Sequence, residues 1–224
     1  MNLIIDCGNT NLKYFIFKDQ TLVLSNFFKW EDNWSLKIKD KISDLKNILL
    51  SDVTGKYNRD ELEKIFPNKK IHEVKSLHFP FETDYNRECL GVDRIGLITA
   101  AINKFPKEDC LVIDAGSCLT FDLISSKSIH KGGFISPGLL IRYKSLYDYT
   151  TSLPLIELED KKMEIGKDTK NSIQSGTLEG FIFEINGQIQ KFKRKTPNLR
   201  VILTGGDAKY LYKRIKNSIF AEQE

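Results

Sequence analysis

The stretch that decides the fold is Leu3-Ile4-Ile5-Asp6-Cys7-Gly8-Asn9-Thr10-Asn11-Leu12-Lys13-Tyr14-Phe15-Ile16-Phe17, close to the start of the sequence. Two apolar runs, residues 3–5 and 14–17, flank a polar centre of Asp, Gly, Asn and Thr. This arrangement predicts a hairpin of two buried strands joined by a polar turn. For one such segment taken alone, a turn whose Asn and Gly serve only backbone geometry is an equal alternative.

The residues of this turn also suit the binding of phosphate oxygens. Gly8 leaves room for an anion to reach backbone N–H groups, and Thr10 and Asn11 add short donors. Lys13 adds a positive charge on a long side chain. Asp6 ends the first predicted strand, where its carboxylate can hold a magnesium ion against the same phosphates. The turn is therefore a candidate site for a phosphorylated ligand.

The same plan returns later in the chain, in Leu111-Val112-Ile113-Asp114-Ala115-Gly116-Ser117-Cys118-Leu119-Thr120-Phe121-Asp122-Leu123-Ile124. The two aspartates are 114 − 6 = 108 residues apart, which is too long for a solenoid repeat and typical of a duplicated domain. We therefore predict an α/β protein of two related lobes, residues 1–104 and 105–224, with a cleft between them. The repetition also favours the functional interpretation of both turns.

Composition narrows the classes of protein that this chain can be. With 224 residues and 41% hydrophobic content, it can bury a substantial core. The net charge of +4 comes from 34 basic and 30 acidic residues, which describes an ordinary mixed surface. The densest basic run, Lys191 to Lys195, continues an amphipathic pattern and indicates a solvated helix end. We therefore expect no nucleic-acid partner.

The cysteines and the N-terminus indicate the compartment. The four cysteines form no Cys-x-x-Cys pair and have no histidine at ligand spacing, so neither a metal cluster nor a disulfide framework is expected. No basic leader precedes an apolar stretch, and no apolar run approaches the length that crosses a bilayer. The sequence predicts a cytoplasmic protein with no membrane partner.

The remainder of the first lobe reads as alternating strands and helices. Trp34, Ile38, Ile42 and Leu45 recur at helical spacing and predict a helix over the sheet. Other elements follow from apolar runs and breakers: strands at Gln20–Phe28, Ile48–Val53 and Ile71–Val74, and a helix at Arg59–Ile65 stopped by Pro67.

A second polar motif, Gly91-Val92-Asp93-Arg94, precedes apolar residues at helical spacing from Ile95 onward. The pattern places Asp93 and Arg94 in the first turn of a helix, with Gly91 allowing close approach. An acid beside a guanidinium there suits a substrate with a hydroxyl to activate and a carboxylate to bind. The alternative is an aspartate that only interacts with the helix dipole, next to a solvated arginine.

Three further segments are rich in glycine. Lys131 to Leu139 contains paired glycines and Pro-Gly, which predicts a loop packed against a ligand, and Val201 to Ala208 predicts a strand that runs into Gly205-Gly206 at a ligand. Thr169 lies on a predicted loop before a helix and could donate to a substrate or serve as an ordinary N-cap. Glycines 176, 180 and 187 share one face of that helix, which suits tight packing within the chain or across a dimer.

Taken in order, these motifs resemble those of type III pantothenate kinases, within the acetate kinase, sugar kinase, heat-shock ATPase and actin superfamily. The resemblance extends over nearly the whole chain and rests on the order and spacing of the motifs at Asp6–Lys13, Gly91–Arg94, Asp114–Asp122, Gly132–Gly138 and Thr204–Ala208. It implies two ribonuclease H-like lobes with an interlobe cleft, a homodimer, and ATP-dependent phosphorylation of pantothenate to 4'-phosphopantothenate, the first step of coenzyme A biosynthesis. It also implies ATP with Mg²⁺, and K⁺ or NH₄⁺.

The resemblance also implies a role for each matching residue. Asp6 would hold magnesium, and Asp93 would take the proton from the substrate hydroxyl. Asp114 would help to coordinate the monovalent cation. The implied ATP-binding residues are Asp6, Cys7, Gly8, Asn9, Thr10, Asn11, Leu12, Lys13 and Ser117, and the implied pantothenate-binding residues are Tyr85, Gly91, Val92, Asp93, Arg94 and Thr169.

The chain departs from the family pattern at two places. Tyr85 lies one residue closer to the Gly-x-Asp-Arg motif than the family's substrate-side tyrosine, without the usual proline between them. Ser117-Cys118-Leu119 stands where the family has Thr-Ala-Thr, so a hydroxyl is kept at position 117 and lost at position 119. Two alternatives stay open at this point: another small-molecule kinase of the superfamily, and a non-catalytic relative with a regulatory or binding role.

Overall fold

The computed structural model describes residues 1–29, 34–39, 45–74, 79–159, 165–211, 214–215 and 218–220. The chain divides into two compact units. Unit 1 contains Met1–Pro80 and Tyr85–Thr99, and unit 2 contains Phe81–Asp84 and Ala100–Gln223. The boundary between the units therefore falls within one helix, and a four-residue segment from the first half of the sequence belongs to unit 2. The lobe limits 1–104 and 105–224 remain a prediction.

Unit 1 is built on a five-stranded sheet with the order β3-β2-β1-β4-β5. Strands β1 and β2 form the predicted hairpin, and β4 pairs with β1 in parallel. The strands are β1 Asn2–Cys7, β2 Asn11–Lys18, β3 Thr21–Lys29, β4 Asn47–Asp52 and β5 Lys70–Glu73; the helices are α1 Trp34–Lys39 and α2 Arg59–Ile65, followed by a 3₁₀ turn at Arg87–Cys89 and by α3 Val92–Lys104.

The core of unit 1 follows from alternation along the hairpin strands. Leu3, Ile5 and Cys7 on β1 are fully buried, because successive side chains of a strand point to opposite faces of the sheet. Trp34 and Ile38, one helical turn apart on α1, pack into the same cluster. The predicted helix over this sheet is thus present at residues 34–39, while Ile42 lies outside the described residues.

Unit 2 contains a six-stranded sheet with the order β11-β10-β7-β8-β9-β6. The strands are β6 Glu82–Thr83, β7 Cys110–Ala115, β8 Cys118–Ile124, β9 Ile129–Pro137, β10 Arg200–Thr204 and β11 Ile219–Phe220; the helices are α4 Leu139–Asp148, α5 Thr169–Lys193 and α6 Ala208–Leu211. Alternate residues of β7 and β8, among them Ile113 and Phe121, pack with buried side chains of α5 such as Phe181 and Ile185.

The two sheets share one topology. In each, a first strand pairs antiparallel with the second, the second with the third, and the first in parallel with a later strand: β3-β2-β1-β4-β5 in unit 1 and β9-β8-β7-β10-β11 in unit 2. This repeated order confirms the predicted fold class, an α/β protein of two duplicated lobes. Strand β6 is an addition that pairs in parallel with β9.

One predicted loop is wrong. Residues 131–139 were expected to form a ligand-facing loop, but residues 131–137 belong to strand β9. The pairing shifts between Leu123 and Ile124, which face Gly132 and His130, so Lys131 is an extra residue and Gly132 takes a φ of +106°. Here the glycine serves a β-bulge.

None of the helices in the described part of the chain is both long enough and apolar enough to cross a membrane.

Candidate active site

The hairpin turn of unit 1 has the geometry of an open backbone cradle. The Gly8 N–H donates to the Asn11 carbonyl oxygen at 3.1 Å, which closes the turn. A Cβ added at Gly8 would meet, among the described residues, just that carbonyl oxygen at 3.4 Å. Neither the backbone conformation nor close packing therefore requires glycine at this position, and the space beside its backbone is open to a ligand.

The side chains of the turn fall into two groups. Asn9 and Thr10 are exposed, and Lys13 lies directly across the hairpin from Asp6. Cys7 and Leu12 are fully buried in the core of unit 1. A ligand at this turn can contact the last two through backbone atoms, while the others can offer side chains.

Asp6 carries a negative charge that the protein itself balances poorly. Burial raises the pKa of Asp6, and the nearby charges of Asp93 and Asp52 raise it further, whereas Lys13 and a hydrogen bond from Ser51 lower it. The Ser51 hydroxyl donates to the Asp6 carboxylate at 3.2 Å. A carboxylate with a raised pKa is stabilised by a bound cation, and Mg²⁺ commonly binds through one or two carboxylates plus substrate phosphates. Asp6 fits that role.

Asp52, at the end of the neighbouring strand β4, serves the fold instead. Its carboxylate accepts backbone hydrogen bonds from Thr54 at 2.6 Å, Gly55 at 3.1 Å and Tyr57 at 2.7 Å. These bonds organise the loop after β4. Two carboxylates at adjacent strand ends thus have different tasks: Asp52 shapes a loop, and Asp6 remains available to a ligand.

The Gly91–Arg94 motif forms the first turn of α3, as predicted. Asp93 is the second residue of the helix, and its Oδ1 accepts from the Arg94 N–H at 2.8 Å. A Cβ added at Gly91 would lie 2.5 Å from the same Oδ1. Gly91 is therefore needed to leave room for the Asp93 carboxylate, and the spacing of glycine and aspartate has a steric cause inside unit 1.

Arg94 is buried, with 4% of its surface exposed, and its guanidinium lies 5.0 Å from the ring centroid of Tyr85. A cation above an aromatic face is attracted by the ring quadrupole and is held in a fixed orientation. The solvated-arginine alternative is excluded by this burial. Tyr85 and Arg94 thus lie together although the spacing between Tyr85 and Gly91 is short.

A groove of about 790 Å³ in unit 1 lies beside this motif. Its walls include the end of β4, the loop that Asp52 shapes, and residues 88–92. Cys89 lines it and is exposed, in contrast to Cys7 and Cys110, which are buried.

In unit 2, two glycine-rich segments converge on the turn after Asp114. A Cβ at Gly138 would lie 2.1 Å from the Gly116 carbonyl oxygen, and one at Gly205 would lie 2.3 Å from Asp114 Oδ1. Gly205 also has a φ of +97°. Both positions need glycine because the hairpin turn itself approaches their backbone, and the predicted approach of a ligand to these segments stays a prediction. Ser117 belongs to this turn, and its carbonyl oxygen accepts from the Gly138 N–H at 3.1 Å.

Asp207 stabilises the packing of these segments around the turn after Asp114. Its backbone N–H donates to the Ala115 carbonyl oxygen at 2.8 Å, and its carboxylate accepts from the Leu139 N–H at the start of α4. Burial raises the pKa of Asp207, while the bond from Leu139 and the charge of Lys209 lower it. The ends of β7, β9 and β10 are thus tied together around residues 114–117.

Thr169 is the first residue of α5 and is exposed, whereas Asp168 is the N-cap, with its carboxylate accepting from the Asn171 N–H at 2.8 Å. The N-cap alternative for Thr169 is therefore wrong. Thr169 lines a groove of about 680 Å³ together with Arg142 of α4 and Gly176 of α5. It remains available to a ligand or a partner.

The sequence as a whole matches the family model for type III pantothenate kinase over residues 2–191. The chain belongs to the type III pantothenate kinase family. Among curated members of that family, the Flavobacterium psychrophilum protein is 39% identical over 227 residues, which cover 99% of this chain and 93% of the relative. The resemblance predicted from the motifs is thereby confirmed.

Solved structures agree with the fold. A protein from Campylobacter jejuni that is named as a Baf family transcriptional activator is 26% identical to this chain. The match covers 98% of this chain and 91% of that protein, with a TM-score of 0.59. A protein named as a 2-dehydro-3-deoxygalactonokinase from Sinorhizobium meliloti is 10% identical, with 98% and 92% coverage and a TM-score of 0.60. The second likeness concerns the fold alone.

Two residues that connect elements of unit 2 in this type III pantothenate kinase, Asp207 and His130, were given no role in the sequence analysis. Asp207 was visible within a glycine motif, but its bond to Leu139 joins residues far apart in sequence. His130 gave no signal: it is fully buried, with Nε2 at 2.8 Å from Asp122 Oδ1 and Nδ1 at 2.8 Å from the Thr83 hydroxyl. Through this chain of polar groups it fastens β6 to β9 and β8.

Proposed function

We infer that this chain catalyses the ATP-dependent phosphorylation of pantothenate to 4'-phosphopantothenate, the first step of coenzyme A biosynthesis. The family membership supports this inference, and one observation about the site carries it. Gly91 leaves a steric gap that the Asp93 carboxylate fills at the start of α3, beside a buried Arg94. An oriented acid and a fixed guanidinium are the groups that a substrate with a primary hydroxyl and a carboxylate requires.

Phosphoryl transfer passes through a loose transition state, so the chain mainly has to align the reacting groups and neutralise charge. In this proposal Asp93 orients the hydroxyl of pantothenate and accepts its proton late in the transfer. Arg94, held on the ring of Tyr85, binds the substrate carboxylate. Val92, Gly91 and Tyr85 complete the unit 1 part of the pantothenate site.

For the nucleotide, residues Asp6 to Lys13 bind the phosphates of ATP, and Asp6 holds Mg²⁺. The open space above Gly8 and the raised pKa of Asp6 support these roles. When bound, Mg²⁺ supplies positive charge that neutralises the phosphates. Ser117 contributes a hydroxyl to ATP binding from unit 2.

Asp114 holds a monovalent cation, K⁺ or NH₄⁺. Its carboxylate lies at the end of β7, packed against the backbone of Gly205. The chemistry of the surroundings suits a hard cation, since threonine residues flank Asp114 on the two neighbouring strands at positions 120 and 204. When bound, such a cation supplies a fixed positive charge at this turn.

The chain acts as a homodimer in the cytoplasm, with Thr169 contacting pantothenate from the partner's side. A face of α5 supports the dimer. Glycines 176, 180 and 187 have open space where a Cβ would stand, and Phe183, on the same face, is 70% exposed. This face could pack within the chain or across a dimer. No residue in the described part of this chain covers it, which favours a second copy of the chain.

The test is a phosphorylation assay with the purified full-length chain, ATP, Mg²⁺ and pantothenate, with 4'-phosphopantothenate detected by mass. The Asp93→Asn variant should lower turnover by about 10²–10⁴-fold, the usual contribution of a positioned base, and should weaken ATP binding far less. Near-normal turnover of this variant would remove Asp93 from its role.

The same assay separates the alternatives. Replacing pantothenate with acetate or hexoses tests for another kinase of the superfamily. No product with any acceptor would favour a regulatory role such as the name of the Campylobacter jejuni protein indicates. Against that role stands the presence of every charged residue that the reaction needs: Asp6, Lys13, Asp93, Arg94 and Asp114.

A further inference from the structure

One buried hydroxyl of unit 2 lacks the partner that its environment demands. Thr120 on β8 has 8% of its surface exposed, and its Oγ1 makes no hydrogen bond to any residue that the structure describes. A buried hydroxyl left in this state costs about 1–3 kcal/mol. Because native proteins pair nearly all such groups with protein, ordered water or a bound group, this hydroxyl needs a partner from outside the described residues.

The position of Thr120 indicates what that ligand is. Thr120 and Asp114 are direct partners across the β7–β8 hairpin. Ile113, Ala115, Leu119 and Phe121 all belong to the core cluster on one face of the sheet. Since side chains alternate along a strand, Asp114 and Thr120 both lie on the opposite face.

Directly paired residues of an antiparallel ladder have Cβ atoms about 4.5–5.5 Å apart. A carboxylate oxygen and a hydroxyl oxygen at that separation can share one cation. On the other side of Asp114, Thr204 of β10 is its parallel partner. The row across the three strands is therefore hydroxyl, carboxylate, hydroxyl, which is a set of oxygen donors with a single negative charge.

We propose that the Thr120 hydroxyl is a ligand of a monovalent cation that it shares with the Asp114 carboxylate. The proposal rests on the cation site of the proposed function and adds a residue that binds through a neutral oxygen. One carboxylate with neutral oxygen donors suits a singly charged hard ion. The unpartnered hydroxyl and the register with Asp114 are its two independent supports.

The proposal makes two linked predictions for Thr120→Val, a substitution that keeps the shape and removes the hydroxyl. Without K⁺, the variant should melt at the same temperature as the parent chain or higher, because a buried unsatisfied group has been removed. With K⁺, the parent chain should gain stability with concentration by mass action. The variant should require at least about tenfold more K⁺ for the same shift.

The experiment measures the melting temperature of the nucleotide-free, full-length chain in a KCl series against choline chloride at equal ionic strength. Thr120→Ser, which keeps the hydroxyl, should retain the K⁺ response. Thr99→Val is the matched control: the Thr99 hydroxyl donates to the Ile95 carbonyl oxygen at 2.7 Å. Its loss should lower the melting temperature equally in both salts and leave the K⁺ shift unchanged.

The outcomes are distinct. An unchanged K⁺ response in Thr120→Val, or a lower melting temperature of that variant in choline, would overturn the role of Thr120 as a ligand. Absence of any K⁺ response in the parent chain would overturn it as well. The first two results leave the proposed function untouched. Absence of any K⁺ response would also remove the cation from Asp114, but the phosphorylation of pantothenate is tested separately, by product formation from pantothenate and ATP.

Discussion

Asp6→Asn should make the ligand-free protein more stable while it greatly reduces the rate of catalysis. Asparagine keeps the size of the side chain and an oxygen that can accept from the Ser51 hydroxyl, so the hydrogen bond at 3.2 Å can be kept. It removes a charge that burial, Asp93 and Asp52 all disfavour and that Lys13 offsets in part. The pKa of Asp6 is raised by this balance, which means that the ionised carboxylate destabilises the folded chain at neutral pH.

The size of the effect follows from the same balance. Solvent near this half-buried group reduces the net effect, so we expect a gain of about 0.5–1 kcal/mol in the free energy of unfolding. For a protein of this length, that gain raises the melting temperature by about 1–4 °C.

Calorimetric melting of the nucleotide-free chain measures the stability, and titration calorimetry with Mg²⁺ and a non-hydrolysable ATP analogue measures binding. Asp52→Asn is the matched control at the adjacent strand end. It should destabilise by about 1–3 kcal/mol, because the Asp52 carboxylate accepts three backbone N–H groups. A lower melting temperature for Asp6→Asn together with normal binding of the Mg²⁺ complex would refute this reasoning.

Three further predictions follow from the glycines and from burial. Gly91→Ala should displace the Asp93 carboxylate, which lies 2.5 Å from the added Cβ, and steady-state kinetics should show a lower kcat with less change in the KM for ATP; an unchanged kcat would contradict it. Gly8→Ala should weaken nucleotide binding and alter the free energy of unfolding by less than about 1 kcal/mol. Gly205 has a φ of +97° and lies against Asp114, so Gly205→Ala should lower the free energy of unfolding by about 1–3 kcal/mol in denaturant. Equal losses of stability in the two variants would contradict this difference. Burial raises the pKa of both Asp6 and Asp207 above the usual 3.8. Their contribution to the free energy of unfolding should therefore be largest at acidic pH and should decline as pH rises through the raised pKa values. Unfolding measured across a pH series should show a shallower decline in Asp6→Asn.

The sequence was sufficient for the parts of the fold that local pattern determines. Apolar runs on either side of a polar centre with glycine, at residues 3–17 and again at 111–124, predicted both hairpins and the duplication of the fold. The helical spacing after Gly91 placed Asp93 in the first turn of α3. These features depend on neighbours in sequence, so periodicity and turn chemistry were enough.

The sequence did not reveal the contacts of glycines whose partners are distant in sequence. Gly138 and Gly205 signalled that something approaches the backbone closely, but the sequence could not show that the turn around Gly116 is what approaches. Gly132 suggested a loop and instead sits at a β-bulge within β9. A glycine indicates that another group approaches the backbone closely, and the fold determines which group that is.

Polar contacts between distant segments were also invisible in the sequence. The bond from Leu139 to Asp207 and the chain of Asp122, His130 and Thr83 each join separate elements of unit 2. The missing partner of Thr120 is likewise a property of the packed sheet. Motif spacing cannot reveal whether a buried polar group is satisfied, because that depends on which strands meet.

The measurement that tests the account most directly is the conversion of pantothenate by the purified chain, followed by mass detection of the product. With ATP, Mg²⁺ and K⁺, the chain should add one phosphoryl group to pantothenate, and both Asp93→Asn and Asp6→Asn should reduce the rate by at least about a hundredfold. Failure to form 4'-phosphopantothenate, or equal rates in the parent chain and both variants, would contradict it.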